Sequence, residues 1–323
     1  MPRLVRVRPG VDPGFRRVRA GSGFRYLDAG GTDAPEAVRR RIRALVIPPA
    51  WDDVWISAEP SGHIQAVGTD DAGRRQYLYH ARWRERRDRG KFARSLALAQ
   101  ALPRGRARVT ADLRRDALDR DHALAVSFRL LDEAAPRVGS ARYLERHGSR
   151  GLTTLRRRDA SVDGSVVTLS FPAKSGKRAL IEIDDEDLAA ALAVLAAGAP
   201  RSPLLWHLVG RRQVGLRPAE VNAHVRAITG GSFTAKDFRT LRGTIIAAET
   251  LARIGAVDGP RARKRAELEA VRAVAASLGN TPSVARASYI DPRVFACYRR
   301  GQLLELQLRP ESAIRRLLLG DDA

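Results

Sequence analysis

Three short runs, Val54–Ala58, His63–Val67 and Arg75–His80, alternate apolar and polar side chains. Pro60-Ser61-Gly62 and Asp70-Asp71-Ala72-Gly73 separate them. Period-two alternation bounded by Pro, Gly and Asp predicts strands joined by turns, here an antiparallel meander. Phe24–Asp28 is a further short strand, and Pro35–Leu45 is helical, with Pro35 suited to the first turn. From Ala81 the character changes. Ala81–Leu102, Thr110–Glu133 and Ala141–Arg146 are rich in Arg, Ala and Leu and predict helices. Arg84 to Arg89 reads as a solvated, charge-laced link. One β interlude follows, in which Ser165–Phe171 and Arg178–Ile183 flank Pro172-Ala173-Lys174-Ser175-Gly176-Lys177. That is a hairpin with a lysine-bearing turn.

Asp184–Ala197 is the next helix, its acids gathered at the N-terminal end where the dipole favours them. Those acids read as a helix start rather than as a Mg²⁺ site. Pro218 opens a helix to about Thr229, broken by Gly230-Gly231. Thr234 is an N-cap with Asp237 three residues on, and its helix runs to about Ile254 before Gly255. Phe238, Leu241 and Ile245 give the apolar stripe of that helix; Lys236, Arg239 and Arg242 fall off it. Arg261–Leu278 is capped by Gly279. Asn280-Thr281-Pro282-Ser283, a short segment with Tyr289 and Pro292, and two terminal helices complete the chain. The fold class expected is α+β: a small β-sheet domain with helices over 1–88, preceded by a basic arm at 1–23, and a mainly α domain over 89–323.

Charge narrows the class of partner. Lys and Arg number 58 against 36 acids, a formal net charge of +22. Self-repulsion on that scale calls for a polyanion, and nucleic acid gains from counterion release. Basic residues run along the whole chain instead of one amphipathic helix, which argues against a membrane surface. No run approaches the ~18–20 apolar residues of a membrane helix. Met1 to Gly23 carries six arginines and no long apolar block, so a cytoplasmic protein is expected. The one cysteine, Cys297, excludes an internal disulfide and reads as a small buried side chain. Only five basic residues are lysines: Lys91, Lys174, Lys177, Lys236 and Lys264. Lysine can release a proton near neutrality where arginine cannot, so these five invite inspection.

No P-loop, HExxH, GxSxG or His/Cys cluster is present, so no metal or nucleotide cofactor is expected. Other segments carry a specific likeness. They are Ile47-Pro48-Pro49-Ala50-Trp51, Gly62-His63-Ile64-Gln65-Ala66, Gly73-Arg74-Arg75-Gln76-Tyr77-Leu78-Tyr79-His80 and Arg137-Val138-Gly139. Further on come Gly151-Leu152-Thr153-Thr154-Leu155, Phe171-Pro172-Ala173-Lys174, Lys236-Asp237-Phe238-Arg239-Thr240, and Gly279-Asn280-Thr281-Pro282-Ser283 through Ser288-Tyr289. In this order they resemble type IB DNA topoisomerases of the small bacterial and poxvirus-like branch.

The resemblance implies a monomer that clamps double-stranded DNA, with the first domain as part of the clamp and no membrane partner. It implies a cytoplasmic, nucleoid-associated enzyme whose Tyr289 attacks a backbone phosphate, with Arg137 and Arg239 holding that phosphate. Lys174 would protonate the departing 5′-oxygen, with Lys177 the local rival. Lys236 would be a further phosphate contact. Arg74, Gln76, Tyr77 and Tyr79 match DNA-touching residues of the poxvirus relatives, and Tyr77 and Tyr79 share a strand face. Asn280 departs from the histidine that much of the family has there; its amide can still donate a hydrogen bond but cannot titrate. Two alternatives stay open: a tyrosine recombinase, although no His-x-x-Arg lies around Arg239, and a non-catalytic basic DNA binder.

Overall fold

Residues 14–27, expected to hold the end of a basic arm and one strand, form two paired strands in the computed structural model, which describes residues 3–115 and 117–320. The strands are β1 (Gly14–Ala20) and β2 (Gly23–Leu27). After α1 (Glu36–Ala44) come β3 (Asp52–Ser57), β4 (Ile64–Thr69) and β5 (Arg75–Tyr79). All pair antiparallel in one sheet of order β2-β1-β3-β4-β5. Ile42 of α1 meets Val54, Ile56 and Ala66 on one face of this sheet, with Phe15 and Leu78 packed alongside. Val7, Ile64 and Val67 form a second small core with Trp55 and Tyr79. Strand β4 is therefore apolar on both faces, unlike a half-exposed strand.

The arm is thus a correction. Val5 already pairs with Gly62, and Val7 is buried. The physical reason lies in Arg17. Its guanidinium turns inward from β1 and donates to the carbonyls of Ile47, Pro48, Pro49 and Trp51. It also lies over the Phe24 ring at 4.2 Å. Arginine count suggested a solvated segment, but this side chain staples the segment before β3.

The chain divides into two compact units at Gly90/Lys91, inside α2 (Ala81–Leu113). Residues 84–89 are thus helical, not a loose link. The helix also runs through Pro103, where the sequence suggested an end. Leu98, Leu102, Val109 and Leu113 keep one buried stripe across the proline. That burial offsets the roughly 3 kcal/mol a mid-helix proline costs. The break comes later, where Asp119 accepts the His122 N–H and starts α3 (Arg120–Ala134).

The second unit continues with α4 (Ala141–His147), β6 (Ala160–Asp163), β7 (Val166–Pro172), β8 (Arg178–Asp184), α5 (Glu186–Ala196), β9 (Trp206–Val209) and β10 (Arg212–Gly215). Then come α6 (Pro218–Thr229), α7 (Ala235–Ile254), α8 (Pro260–Leu278), α9 (Pro282–Ser288), α10 (Pro292–Arg299) and α11 (Pro310–Leu319). Strands β6-β7-β8 form one antiparallel sheet and β9-β10 a separate hairpin, which the sequence reading did not anticipate. The acidic run before α5 is structural: Asp185 caps Leu188 N–H and pairs with Arg129, and Asp187 pairs with Arg114. Cys297 is buried and free. The architecture is α+β, an N-terminal sheet region followed by a larger, mainly helical unit. No helix among the described residues is long and apolar enough to cross a membrane.

Replacing Arg17 with Ala takes its donors from four carbonyls, of which only that of Pro48 keeps a backbone partner, the Trp51 N–H, among the described residues. The expected cost is about 2 kcal/mol in the stability of the first unit, read from urea unfolding. An unchanged midpoint would mean that solvent serves those carbonyls equally well.

Candidate active site

Helix α7 begins where the sequence placed it. Asp237 accepts the N–H and hydroxyl of Thr234 and also pairs with Arg94. Two positions on, Arg239 departs from expectation: it is only 6% exposed. Its Nη1 donates to the Ala135 carbonyl at 2.7 Å and its Nη2 to the Leu278 carbonyl at 2.8 Å. Both carbonyls sit at helix C-terminal ends, of α3 and α8, where the negative end of the dipole favours a cation. Ala135 takes the left-handed conformation, with φ 47°.

Two residues past Ala135 comes Arg137. Gly151 N-terminal to a short turn fixes its backbone: Leu152 N–H donates to the Arg137 carbonyl at 2.8 Å. A Cβ at Gly151 would lie 2.3 Å from that carbonyl oxygen, so only glycine fits. The Arg137 Nη2 donates to the Gly279 carbonyl at 3.1 Å and to the Asn280 Oδ1 at 2.5 Å. Burial lowers the Arg137 pKa, and the nearby Arg239 lowers it further. Neither arginine is paired with a carboxylate among the described residues. Because Asn280 offers its oxygen to Arg137, its amide nitrogen faces the other way, buried and without a partner among the described residues. A buried N–H of this kind is costly unless an acceptor arrives.

Tyr289 follows α9 and lies against α7. The Arg239 guanidinium carbon is 5.1 Å from its ring centroid. Burial pushes its phenol pKa up, but Arg239 foremost, then Arg137 and Lys236, pull it below the ordinary 10.0. Flanking helices are held by one buried carboxylate: Glu267 on α8 bonds Arg286 of α9 and Arg299 of α10. Arg137, Arg239, Asn280 and Tyr289 therefore converge, and exposed Lys236 on the first turn of α7 adds its positive charge to the field at Tyr289.

A cleft of about 520 Å³ lies beside this group, lined by Arg137, Arg239, Asn280, Arg150, Lys177 and Arg178 among others. Arg150 is spoken for by Asp159, and its N–H ties the end of β7 at Pro172 to the Gly151 turn. Lys174 sits exposed at the hairpin tip, in a 3-10 turn, and does not line the cleft. Lys177 does. The sequence reading weighed Lys177 but missed Arg150 and Arg178.

Comparison with known proteins bears on the family. The family profile described as eukaryotic DNA topoisomerase I, catalytic core, matches residues 80–298. The chain belongs to the type IB DNA topoisomerases. The profile of the bacterial DNA topoisomerase IB N-terminal domain matches residues 23–70. The chain is also 25% identical over 300 residues to the DNA topoisomerase 1B of Acanthamoeba polyphaga mimivirus, covering 87% of this chain and 89% of the viral one.

In the N-terminal unit, Tyr77 and Tyr79 stack at 6.0 Å and 16° on one face of β5. Tyr77 is 41% exposed, whereas Tyr79 packs on the second small core and under Arg87. Arg74 and Gln76 both bond Asp70, whose carboxyl Arg74 holds far below the usual range. A second cleft, about 880 Å³, runs between residues 3–6 and the first turns of α2, lined by Arg3, Arg6, Arg82, Arg86, Arg87, Arg89 and Trp83 among others. Sequence reasoning registered these arginines only as charge.

The phenol pKa gives a direct check. Neighbouring cations favour phenolate, so Tyr289 ionises at lower pH than a free tyrosine. The stability this adds is complete above 10.0 and is lost as pH falls through the lower folded value. Tyrosinate absorbance of wild type minus Tyr289→Phe should show one group titrating below 10.0. A difference curve centred above that value would contradict the electrostatic account.

Proposed function

We propose that this chain relaxes supercoiled DNA by transient cleavage of one strand through Tyr289. The phenol gives its proton to water and its oxygen attacks a backbone phosphorus. A 3′-phosphotyrosyl bond forms as the bond to the 5′-oxygen breaks. That oxygen takes a proton from a lysine and leaves as a 5′-hydroxyl. The free strand end swivels, and the reverse attack reseals the backbone. Bond energy is kept in the phosphotyrosyl link, so neither ATP nor another energy source is consumed. The chain works on duplex DNA as a cytoplasmic, nucleoid-associated monomer.

The observation that carries this reading is a half-buried phenol with lowered pKa beside two guanidiniums that have no carboxylate partner among the described residues. A phosphorane gathers charge on its non-bridging oxygens, and planar guanidiniums suit it. The unpartnered amide of Asn280 supplies a neutral donor to the same oxygens. Lys236 adds a nearby positive charge. Arg74, Gln76, Tyr77 and Tyr79, with the arginine cleft of the first unit, would grip the flanking duplex. For Arg74 and Gln76, base contact means exchanging Asp70 for DNA.

Two experiments test the reaction. Wild type should relax a supercoiled plasmid without added ATP or Mg²⁺ and leave a covalent protein–DNA adduct on denaturing gels. Tyr289→Phe should lose both, by on the order of 10⁴-fold or more, while binding DNA as before. Equal relaxation by the two proteins would return the chain to a non-covalent role.

For the acid, Lys174→Ala should slow cleavage by about 10²–10⁴-fold, and a 5′-thiolate leaving group, which needs no proton, should restore it. Rescue of Lys177→Ala in its place would assign the proton to the lysine that lines the cleft.

A further inference from the structure

Gly243 stands in the middle of α7, where glycine weakens a helix. Here a Cβ would lie 2.6 Å from the Tyr289 carbonyl oxygen, 3.0 Å from the Tyr289 Cβ and 3.2 Å from Val274 Cγ1. The next residue, Thr244, is 1% exposed. Its hydroxyl lies 2.9 Å from the Thr240 carbonyl and 3.3 Å from the Tyr289 carbonyl, and accepts the Asp291 N–H at 3.1 Å. A hydroxyl has one proton and two lone pairs, so it can bridge these groups and still accept from Asp291.

We propose that Gly243 and Thr244 are positioning residues that seat the Tyr289 backbone on α7, and thereby set the reach of its phenol towards the phosphate held by Arg239. The inference rests on the reaction proposed above. Lys236, Arg239 and Gly243 recur at three- and four-residue spacing, so they share one face of one helix. The nucleophile's main chain rests one turn beyond the guanidinium. Helix geometry fixes that offset, because α7 rises about 1.5 Å per residue and cannot stretch. A methyl group at 243 pushes Tyr289 away from this face without touching Arg239. Misplacement of a reacting group by about 1 Å can cost on the order of 100-fold in rate.

The test uses the full-length protein, a nicked-duplex binding assay and single-turnover formation of the covalent adduct. Gly243→Ala should bind DNA like wild type yet form adduct on the order of 10- to 100-fold more slowly. Alanine is the better helix former, so a slow but stably folded variant separates seating from folding. Should Gly243→Ala melt early, the Thr244 pair decides. Thr244→Val, which strands the Asp291 N–H and frees the Tyr289 carbonyl, should be slow, and Thr244→Ser should recover most of the rate. Wild-type cleavage rates in Gly243→Ala, or in Thr244→Val, would overturn the inference while leaving the reaction intact. No adduct from wild type would instead remove the reaction on which it rests.

Discussion

A buried guanidinium without a carboxylate organises the second unit. Arg239 is held by two helix-end carbonyls, from α3 and α8, and by nothing of opposite full charge among the described residues. Partial charges at the C-terminal ends of helices compensate it incompletely. The same two bonds draw together the segments that carry Arg137 and Asn280, since Ala135 and Leu278 each lie two residues before one of them. One side chain therefore joins three stretches distant in sequence and leaves their meeting point electropositive. A carboxylate there would quiet the field and stabilise the protein, but it would repel the phosphate of the proposed reaction.

Acidic residues elsewhere are used for anchoring. Asp237 caps α7 and holds Arg94, Asp185 caps α5 and holds Arg129, and Asp159 holds Arg150. With 36 acids against 58 basic residues, such placement leaves the surplus of positive charge for the surface and the cleft. The clefts described in the two units are both lined mainly by basic and apolar groups, which suits a polyanion approached by charge before fit.

Local signals were legible where a single residue type decides the backbone. Pro218, Gly230, Thr234 with Asp237, and Gly279 marked helix ends because caps and left-handed turns are chemical requirements of those positions. The convergence of Arg137, Arg239, Asn280 and Tyr289 was legible through family likeness; no spacing rule picks two arginines out of so many. Other features were hidden by their tertiary causes. Arg17 counted only as part of a basic arm and Arg239 fell off the apolar stripe of its helix, yet clustered carbonyls draw the first partly inward and bury the second. Helix α2 outlasts Pro103 because its stripe is covered by neighbours far along the chain. The short β9–β10 hairpin has too little alternation to stand out. In the cleft, the hairpin lysines differ by which one points inward, a distinction that three residues of sequence do not encode.

Glu267 gives the segment bearing Tyr289 a particular mechanical character. One carboxylate accepts from Arg286 before the tyrosine and from Arg299 after it. The two restraints share an oxygen, so they are not independent springs: loosening either one redistributes the charge that holds the other. The segment bearing the phenol is thereby tied at both its ends to a single group on α8.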